Sequence, residues 1–193
     1  MKLIIASNNA HKVHEIKDML SDRFECILSL REAGIVHETV EDGNSFAENA
    51  LKKAREIAEI SGFATLADDS GLCVSSLDGA PGIYSARFAG EHTGVESDKA
   101  NNRLLLEKLS DKQDRSAYFA CFMALVYPDG REIVAEGYMH GRITDSYRGN
   151  HGFGYDPLFI PNGEERTVAE MSDEEKNAIS HRYHALKNLL TKI

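Results

Sequence analysis

Two adjacent carboxylates, Asp68 and Asp69, follow an apolar run of the sequence and precede Ser70. Consecutive residues of an extended chain point in different directions, so one of the two carboxylates can face a cleft. Hard cations such as Mg²⁺ take one or two protein carboxylates and complete their coordination with water and substrate phosphates. Glu41, within the acidic run 38–42, is a candidate second ligand. The same residue types also fit a turn or a solvated acidic loop, so the sequence leaves both interpretations open.

A polar turn separates the first apolar run from the first helical pattern, and it comprises Ser7, Asn8, Asn9, Ala10, His11 and Lys12. Backbone N–H groups and the positive end of a helix favour an anion at such a turn, which makes it a candidate phosphate site. The Walker A pattern GxxxxGK[ST] is absent from the sequence. In the alternative interpretation, Ser and Asn only cap the helix and Lys12 is solvated.

The loop 149–157 contains too many glycines for the interior of a helix or strand. It carries two aromatic residues that look exposed, Phe153 and Tyr155, on either side of Gly154 and next to Asp156. An aromatic ring can stack on a flat ligand such as a base, and a carboxylate can accept hydrogen bonds from ring N–H groups. The alternative is an ordered loop whose aromatic side chains cover the edge of the sheet.

Three basic residues, Lys176, His181 and Arg182, lie close together in the last part of the sequence. Because Lys176 is five and six residues from the other two, one continuous helix would point them to different faces. A shared site therefore requires a helix break. Ser180 is a suitable N-cap for a second helix, which would place His181 and Arg182 at its positive end. The alternative is a set of ordinary basic side chains on the surface of an amphipathic helix.

Apolar spacing along the chain predicts the elements that carry these residues. Pro128-Asp129-Gly130 predicts the turn of an antiparallel hairpin. Capping boxes, in which a serine and a glutamate satisfy each other's backbone amides, are predicted at Ser45–Glu48 and Ser172–Glu175. Alternating strands and helices followed by a hairpin favour an α/β fold, a mixed sheet with helices on its faces. The predicted strands are 2–6, 24–30, 64–67, 72–75, 116–127 and 132–138, and the predicted helices are about 11–20, 45–61 and 98–109.

The composition indicates one globular domain over residues 1–193, since 42% hydrophobic and 27% charged residues are ordinary values. A formal net charge of −9 repels polyanions, so nucleic acid is not an expected partner. The first apolar run is too short for a signal peptide or a membrane span, so we expect a cytoplasmic protein with no membrane partner. Three widely spaced cysteines, Cys26, Cys73 and Cys121, lie in apolar runs and are predicted to be reduced and buried.

Six ordered segments of the chain resemble the Ham1-like inosine triphosphate pyrophosphatase family, whose members keep noncanonical purine nucleotides out of nucleic acid. The segments are SNNAHK, SFAENALKKA, LADDSGL, GAPGIYSARFAG, GFGYDPLF and EKNAISHRYHAL. The resemblance implies an elongated mixed α/β fold with two lobes around a central active-site cleft, and a homodimer. It also implies Mg²⁺-dependent hydrolysis of ITP, dITP or XTP to the monophosphate and pyrophosphate.

The resemblance also implies a role for each matched residue. Glu41 and Asp69 would hold Mg²⁺, and Asp69 would also be the general base. Phe153 would stack on the purine base, whose edge Asp156, His181 and Arg182 would fix. The implied substrate contacts are Ser7, Asn8, Asn9, Ala10, His11, Lys12, Ser70, Phe153, Gly154, Tyr155, Asp156, Lys176, His181 and Arg182.

Three details of the matched residues bear on these roles. Donors at His181 and Arg182 suit a 6-oxo purine, because the amino group of adenine would leave a charged donor facing another donor. Asn8 stands where the family most often has a glycine, so the backbone of the turn can differ there. Asp68 fits either a metal ligand or a residue behind the ligands.

Two other functions fit parts of the same sequence. Maf-type pyrophosphatases have a related fold and act on pyrimidine or modified nucleotides. A regulatory module that binds nucleotides without turnover would use the same phosphate and base contacts, although the paired acidic residues favour an enzyme.

Overall fold

The computed structural model describes residues 2–21, 23–90 and 94–193. Within these ranges the strands are β1 (Lys2–Ile5), β2 (Cys26–Ser29), β3 (Ala64–Val74), β4 (Ser116–Val126), β5 (Glu132–Ile143) and β6 (Phe159–Pro161). The helices are α1 (Ala10–Leu20), α2 (Phe46–Ser61), α3 (Gly94–Lys108), α4 (Asp173–Ile179) and α5 (His181–Leu190). These six strands form one sheet in the order β2-β1-β3-β4-β5-β6, which confirms the predicted α/β class.

The sheet is mixed, as predicted. β1 lies parallel to both β2 and β3, whereas β6 lies antiparallel to β5. The turn 127–131 joins β4 to β5, and a connection this short can only join antiparallel neighbours, since parallel strands need a crossover of about a dozen residues. Gly130 has a φ of 86° in this turn, and its N–H donates to the carbonyl of Tyr127 over 2.9 Å. The predicted hairpin is therefore confirmed.

The chain forms two compact units. The first comprises the residues up to Asp69 together with Cys121–Gly137 and Arg182–Ile193, and the second comprises Ser70–Ala120 and Tyr138–His181. The single domain over residues 1–193 stays a prediction.

Helices cover both faces of the sheet in the first unit. Leu3 of β1 packs in a cluster with Ile16 of α1 and Leu186 of α5. The next residue, Ile4, points to the opposite face and packs in a second cluster with Ile57 of α2. The first unit therefore has the layered arrangement that the alternating sequence pattern predicts.

The second unit has its own apolar core. Leu72 of β3, Leu105 of α3 and Phe119 of β4 meet there with Phe159 of β6. β6 has only three residues and was not predicted from the sequence. The helix predicted over 98–109 begins earlier than expected, at Gly94.

Helix α2 begins and ends where the sequence predicts, but only half of the expected capping box forms. The Ser45 side chain accepts a hydrogen bond of 3.2 Å from the Glu48 N–H. Glu48 accepts from the N–H of Asn44 over 2.7 Å rather than from Ser45, because the preceding segment presents the earlier amide to it. Glu48 is thus a structural residue, as predicted. Gly62 ends the helix with a φ of 68°.

The two short strands predicted over 64–67 and 72–75 are one continuous strand, β3. The expectation that Asp68 and Asp69 follow a strand is therefore wrong, since both lie inside it. Asp, Ser and Gly usually indicate a turn. Here partners from other elements satisfy the carboxylates, which allows the strand to continue through them.

The predicted break in the C-terminal helical region is confirmed. α4 ends at Ile179, Ser180 has extended backbone angles (φ −68°, ψ 151°), and α5 starts at His181. The predicted capping box at the start of α4 also forms, since Ser172 and Glu175 satisfy each other's backbone amides.

The cysteines differ in exposure. Cys73 and Cys121 are buried as predicted, but Cys26 is exposed because β2 buries none of its residues completely. Burial raises the pKa of the Cys121 thiol to about 12. All three thiols are free of disulfide bonds in the described structure. No helix within the described ranges is both long and apolar enough to cross a membrane.

Candidate active site

Asp68 lies in a cluster of buried charges in the first unit. Its Oδ2 is 2.9 Å from Lys12 Nζ and 3.7 Å from Arg182 Nε. Arg182 in turn forms an ion pair with Glu15. Asp68 and Arg182 are 2% and 1% exposed. The cluster therefore joins α1, β3 and α5 through two acids and two bases.

The charges of this cluster keep Asp68 and Arg182 ionised. Burial acts to raise the pKa of the Asp68 carboxyl, but Lys12 and Arg182 outweigh burial and hold that pKa well below its usual range. Burial likewise acts to lower the pKa of Arg182, yet Asp68 and Glu15 raise it. Asp68 is therefore a permanent anion near neutral pH and not a group that exchanges protons.

Asp69 points to the other side of β3 and meets different partners. Its Oδ2 accepts a hydrogen bond of 2.9 Å from Asn49 Nδ2, and its Oδ1 lies 4.0 Å from Lys53 Nζ. Lys53 Nζ also lies 2.8 Å from Glu41 Oε1. Asn49 and Lys53 are one turn apart on α2, so this helix brings Glu41 and Asp69 to the same ammonium group.

The surroundings of Asp69 favour the protonated form of its carboxyl group. Burial raises the pKa of its carboxyl, and the negative charge of Glu41 raises it further, although Lys53 acts in the opposite direction. Burial acts to lower the pKa of Lys53, but Asp68, Asp69 and Glu41 outweigh it and raise that pKa. Lys53 therefore stays protonated beside a carboxyl group whose charged form is disfavoured.

Glu41 and Asp69 suit a hard divalent cation. Carboxylate oxygens are the protein ligands that Mg²⁺ takes, usually one or two of them. The Lys53 ammonium beside both carboxylates already shows that positive charge is favourable here. In the part of the chain that the structure describes, no group of three or more His, Cys, Asp or Glu side chains has a metal-binding arrangement. Water and substrate oxygens would therefore complete the coordination of a cation held by this pair.

The turn 7–12 is ordered as a helix cap. Asn9 precedes α1, and its Oδ1 accepts from the Lys12 N–H over 3.2 Å. The N–H of Asn9 donates to Ser7 Oγ over 3.2 Å. The capping interpretation of this segment is therefore confirmed, which neither supports nor excludes an anion at the same helix end.

Exposure varies along the same turn. Residues 8–10 are exposed and Ser7 is half-buried, whereas the side chain of His11 lies outside the described structure. The expectation that Lys12 is only solvated is wrong, because its ammonium pairs with Asp68.

In the second unit, Asp156 orders the glycine-rich loop. Its Oδ2 accepts hydrogen bonds from the Phe153 N–H over 3.0 Å and from Lys176 Nζ over 2.9 Å. Lys176 Nζ also lies 4.5 Å from the centroid of the Phe153 ring. Gly152 has a φ of 75°, and a Cβ at this position would lie 2.1 Å from Asp156 Oδ2. The loop therefore requires glycine here and holds Phe153, half-buried, against an ammonium group.

Helix α3 holds the same loop from another side. The Gly154 N–H donates to Asp98 Oδ2 and the Gly154 carbonyl accepts from Asn102 Nδ2, both over 2.8 Å. Tyr155 is buried, and its hydroxyl donates to the Ser85 carbonyl over 2.8 Å. The expectation that Tyr155 is exposed is wrong, because its ring packs in the core of the second unit.

The remaining basic candidates are also buried. The interpretation of Lys176, His181 and Arg182 as surface residues is wrong, since each is less than 10% exposed. The His181 ring stacks on Phe119 in the second unit, with centroids 4.9 Å apart and an interplanar angle of 14°. Ser70 is half-buried in β3.

Within each unit the structure brings predicted residues together. In the first unit Lys12 meets Arg182 at Asp68, and Glu41 meets Asp69 at Lys53. In the second unit, Phe153, Asp156 and Lys176 contact one another.

Three residues of these clusters were missed from the sequence: Glu15, Asn49 and Lys53. A signal was available in their spacing. Glu15 is three residues after Lys12, and Lys53 is four residues after Asn49, which places each pair on one face of its helix.

The chain is an α/β protein with a mixed sheet, in which Glu41 and Asp69 meet at Lys53 and the Phe153 ring lies against Lys176. The chain belongs to the Ham1 family, whose model matches residues 3–192. It is 53% identical over 196 residues to a protein of Clostridium perfringens named dITP/XTP pyrophosphatase, covering 97% of this chain and 95% of that one.

Solved structures agree with this assignment. The Ham1 protein of Staphylococcus aureus is 38% identical, with a TM-score of 0.88 over 100% of this chain and 97% of that chain. A HAM1 protein from Coxiella burnetii is 39% identical, with a TM-score of 0.89 over the whole of both chains. The fold is therefore shared with these proteins along the whole chain.

Proposed function

We propose that this protein hydrolyses noncanonical purine nucleoside triphosphates, namely ITP, dITP and XTP, to the monophosphate and pyrophosphate. Its membership of the Ham1 family and its relatives named dITP/XTP pyrophosphatase support this function. The observation that carries it is the meeting of two carboxylates, Asp69 and Glu41, at the ammonium group of Lys53, where burial also raises the pKa of Asp69. The Asp69 carboxylate can take a proton from a water molecule next to a bound cation.

Asp69 is the proposed general base, and Glu41 and Asp69 are the proposed ligands of Mg²⁺. The bound cation would neutralise phosphate charge and make a coordinated water more acidic. Asn49 holds Oδ2 of Asp69, which orients the carboxylate and leaves Oδ1 on the side of Lys53. In the proposed reaction, Asp69 takes one proton from the attacking water, whose oxygen bonds to the α-phosphorus. The bond between the α-phosphorus and the bridging oxygen to the β-phosphate breaks, which leaves the monophosphate and releases pyrophosphate.

The triphosphate would be held by cationic and amide donors. The turn 7–12 offers backbone N–H groups at the start of α1, where the helix dipole favours an anion. Lys53, which stays protonated beside the acid pair, can attract a phosphate to the same place. Lys12 is paired with Asp68, so its ammonium is already fixed in direction before substrate binds.

The base would be recognised by Phe153 and its neighbours. The ring of Phe153 is half-buried against the Lys176 ammonium and offers a stacking surface, with Gly154 and Tyr155 completing the loop. Asp156, His181 and Arg182 are the proposed partners of the base edge, and Ser70 and Lys176 further substrate contacts. Charged donors favour a 6-oxo purine over adenine, because an unpaired buried donor costs about 1–3 kcal/mol or more.

The protein is also proposed to act as a cytoplasmic homodimer, as the resemblance implies, with residues 1–193 as one domain. Sedimentation velocity tests the oligomeric state. A single species of monomer mass at micromolar concentration would contradict the dimer.

A panel of nucleotides tests the proposed activity. With Mg²⁺ present, kcat/KM should be highest for dITP, XTP and ITP and far lower for ATP, dGTP, dTTP and UTP, and the products should be the monophosphate and pyrophosphate. Preference for dTTP or UTP would instead indicate a Maf-type enzyme. Binding of dITP without release of pyrophosphate would indicate a regulatory module.

A further inference from the structure

The segment 36–43 carries Glu41 and contains no helix or strand. Its two valines, Val36 and Val40, are 102% and 68% exposed, so burial of these apolar side chains does not hold it. Ordering an irregular segment costs conformational entropy at every residue. Polar contacts must therefore keep Glu41 in place.

On the C-terminal side of Glu41, one buried amide ties the segment to Asp69. The Gly43 N–H donates to Asn49 Oδ1 over 2.9 Å, and Asn49 Nδ2 donates to Asp69 Oδ2. The orientation of this amide is determined, because a backbone N–H can only donate and a carboxylate can only accept. A Cβ at Gly43 would lie 2.6 Å from Asn49 Oδ1, so the close approach requires glycine.

On the N-terminal side of Glu41, one carboxylate oxygen holds two side chains of the segment. Glu56 Oε2 accepts a hydrogen bond of 2.6 Å from Thr39 Oγ1 and lies 2.7 Å from His37 Nε2. Hydrogen bonds from His37 and Thr39 lower the pKa of the Glu56 carboxyl, which is therefore ionised and can only accept. His37 must then donate from Nε2.

The contacts follow one edge of α2. Asn49, Lys53 and Glu56 have the spacing of a single helix face, and they reach the segment in reverse order, at positions 43, 41 and 39. The segment thus runs antiparallel along the helix, with Glu41 between two anchors. Without the Glu56 contacts, the nearest packed residue before Glu41 would be Ile35, which lies against the apolar core, and Glu41 would be positioned mainly from its C-terminal side.

We propose that Glu56 is a positioning residue for the divalent cation: by holding His37 and Thr39, it keeps Glu41 within reach of the cation that Asp69 binds. This inference rests on the proposed function for the cation shared by Glu41 and Asp69. Glu56 is not a ligand and acts only through the segment 36–43. Its removal should weaken cation binding while leaving the chemistry of the loaded enzyme unchanged.

Glu56→Ala removes the acceptor of both hydrogen bonds, and Glu59→Ala is the matched control. Glu59 is exposed on the same helix and makes no side-chain hydrogen bond or ion pair within the described ranges. Mn²⁺ binding to the nucleotide-free protein, measured by electron paramagnetic resonance, gives a readout independent of turnover. We expect the dissociation constant to rise roughly tenfold for Glu56→Ala, as for the loss of one hydrogen bond to a charged group, and to stay unchanged for Glu59→Ala.

Steady-state kinetics separate positioning from general damage. For Glu56→Ala the half-saturating concentration of Mg²⁺ should rise while kcat at saturating Mg²⁺ stays at the wild-type value. Thr39→Val removes only one of the two bonds and should give a smaller rise, with little further effect when combined with Glu56→Ala. This series keeps the test informative if Glu56→Ala is poorly folded.

The inference is overturned if Glu56→Ala binds Mn²⁺ as tightly as the wild type, or if Glu59→Ala weakens binding equally. A loss of kcat with unchanged Mg²⁺ dependence would overturn it too. If the wild type hydrolyses dITP and Glu56→Ala binds Mn²⁺ normally, the positioning role fails and the proposed function stands. If the wild type does not hydrolyse dITP or XTP but Glu56→Ala selectively loses Mn²⁺ affinity, the function fails and the positioning role stands.

Discussion

Asp68 and Asp69 are adjacent in β3, yet the two sides of the strand give them opposite electrostatic environments. On one side, Lys12 and Arg182 surround Asp68 and keep the pKa of its carboxyl far below the usual range. On the other side, burial and Glu41 raise the pKa of Asp69, against the charge of Lys53. Both residues are buried aspartates, so the neighbouring charges decide which of the two carboxyl groups can exchange a proton.

The different surroundings of Asp68 and Asp69 suggest different roles: Asp68 mainly stabilises the fold, and Asp69 mainly serves the reaction. On the Asp68 side, two acids and two bases compensate one another and link three elements of the first unit. The Asp69 side has two acids at one lysine and therefore favours an added cation. Substitutions on the two sides should consequently fail in different ways.

Asp69→Asn should have the largest effect on turnover. The change removes the base and one charged ligand, so kcat/KM for dITP should fall by at least about 10²–10³-fold, the usual effect of losing one charge-stabilising group. Because the pKa of Asp69 is higher in the folded protein than in the unfolded chain, its ionised form costs stability at neutral pH. The Tm should therefore be equal to or above that of the wild type.

A thermal melt beside the kinetic assay checks both parts of this prediction. The new amide oxygen can still accept from Asn49, so the fold has no reason to change. More than about a tenth of the wild-type rate would contradict the assignment of Asp69 as base.

Asp68→Asn should act mainly on stability. It leaves the buried Arg182 and the Lys12 ammonium without their shared counter-ion, which typically costs about 3 kcal/mol. For a chain of this length, that loss lowers Tm by roughly 6–12 °C. Denaturant unfolding at pH 7 measures the effect directly.

If Asp68→Asn melts at the same temperature as the wild type, Asp68 does not stabilise the fold as we propose. Turnover measured well below the melting range should exceed that of Asp69→Asn. If Asp68→Asn is the less active of the two, Asp68 takes part in the chemistry and the division between the two sides of β3 is wrong.

Phe153→Ala extends the comparison to the second unit with a smaller effect. Stacking acts on the base, away from the phosphates, so KM for dITP should rise roughly tenfold with less change in kcat, in keeping with about 1–3 kcal/mol for a stacked base. Steady-state kinetics on dITP measure the split between the two constants.

Tyr155→Phe is the matched control on the same loop. Its hydroxyl donates to the Ser85 carbonyl within the core and the variant retains the ring, so stability should fall while KM rises less than in Phe153→Ala. A loss of kcat alone in Phe153→Ala would mean that Phe153 shapes the loop and does not touch the base.

The sequence predicts the elements better than the contacts between them. Apolar spacing places α1 and α2 correctly, and the turn sequence Pro128-Asp129-Gly130 places the hairpin. The helix break at Ser180 is expected if Lys176, His181 and Arg182 share a site. These features depend on neighbouring residues in the chain, which a sequence displays directly.

Long-range partners explain what the sequence could not predict. β3 continues through Asp68 and Asp69 only because α1, α2 and α5 supply partners for both carboxylates. Tyr155 is buried because its ring packs in the core of the second unit, where a distant carbonyl, that of Ser85, accepts the hydrogen bond of its hydroxyl. The opposite pKa shifts of Asp68 and Asp69 arise from such contacts as well.

A carboxyl ¹³C NMR titration of the aspartate-labelled protein, free of metal and nucleotide, tests the contrast between the two residues most directly. Asp68→Asn and Asp69→Asn assign the two resonances. We predict that Asp69 titrates above the ordinary aspartate value of about 3.9, whereas Asp68 stays ionised well below it. An Asp68 resonance that titrates at or above the ordinary value, or an Asp69 resonance that titrates below it, would contradict the account.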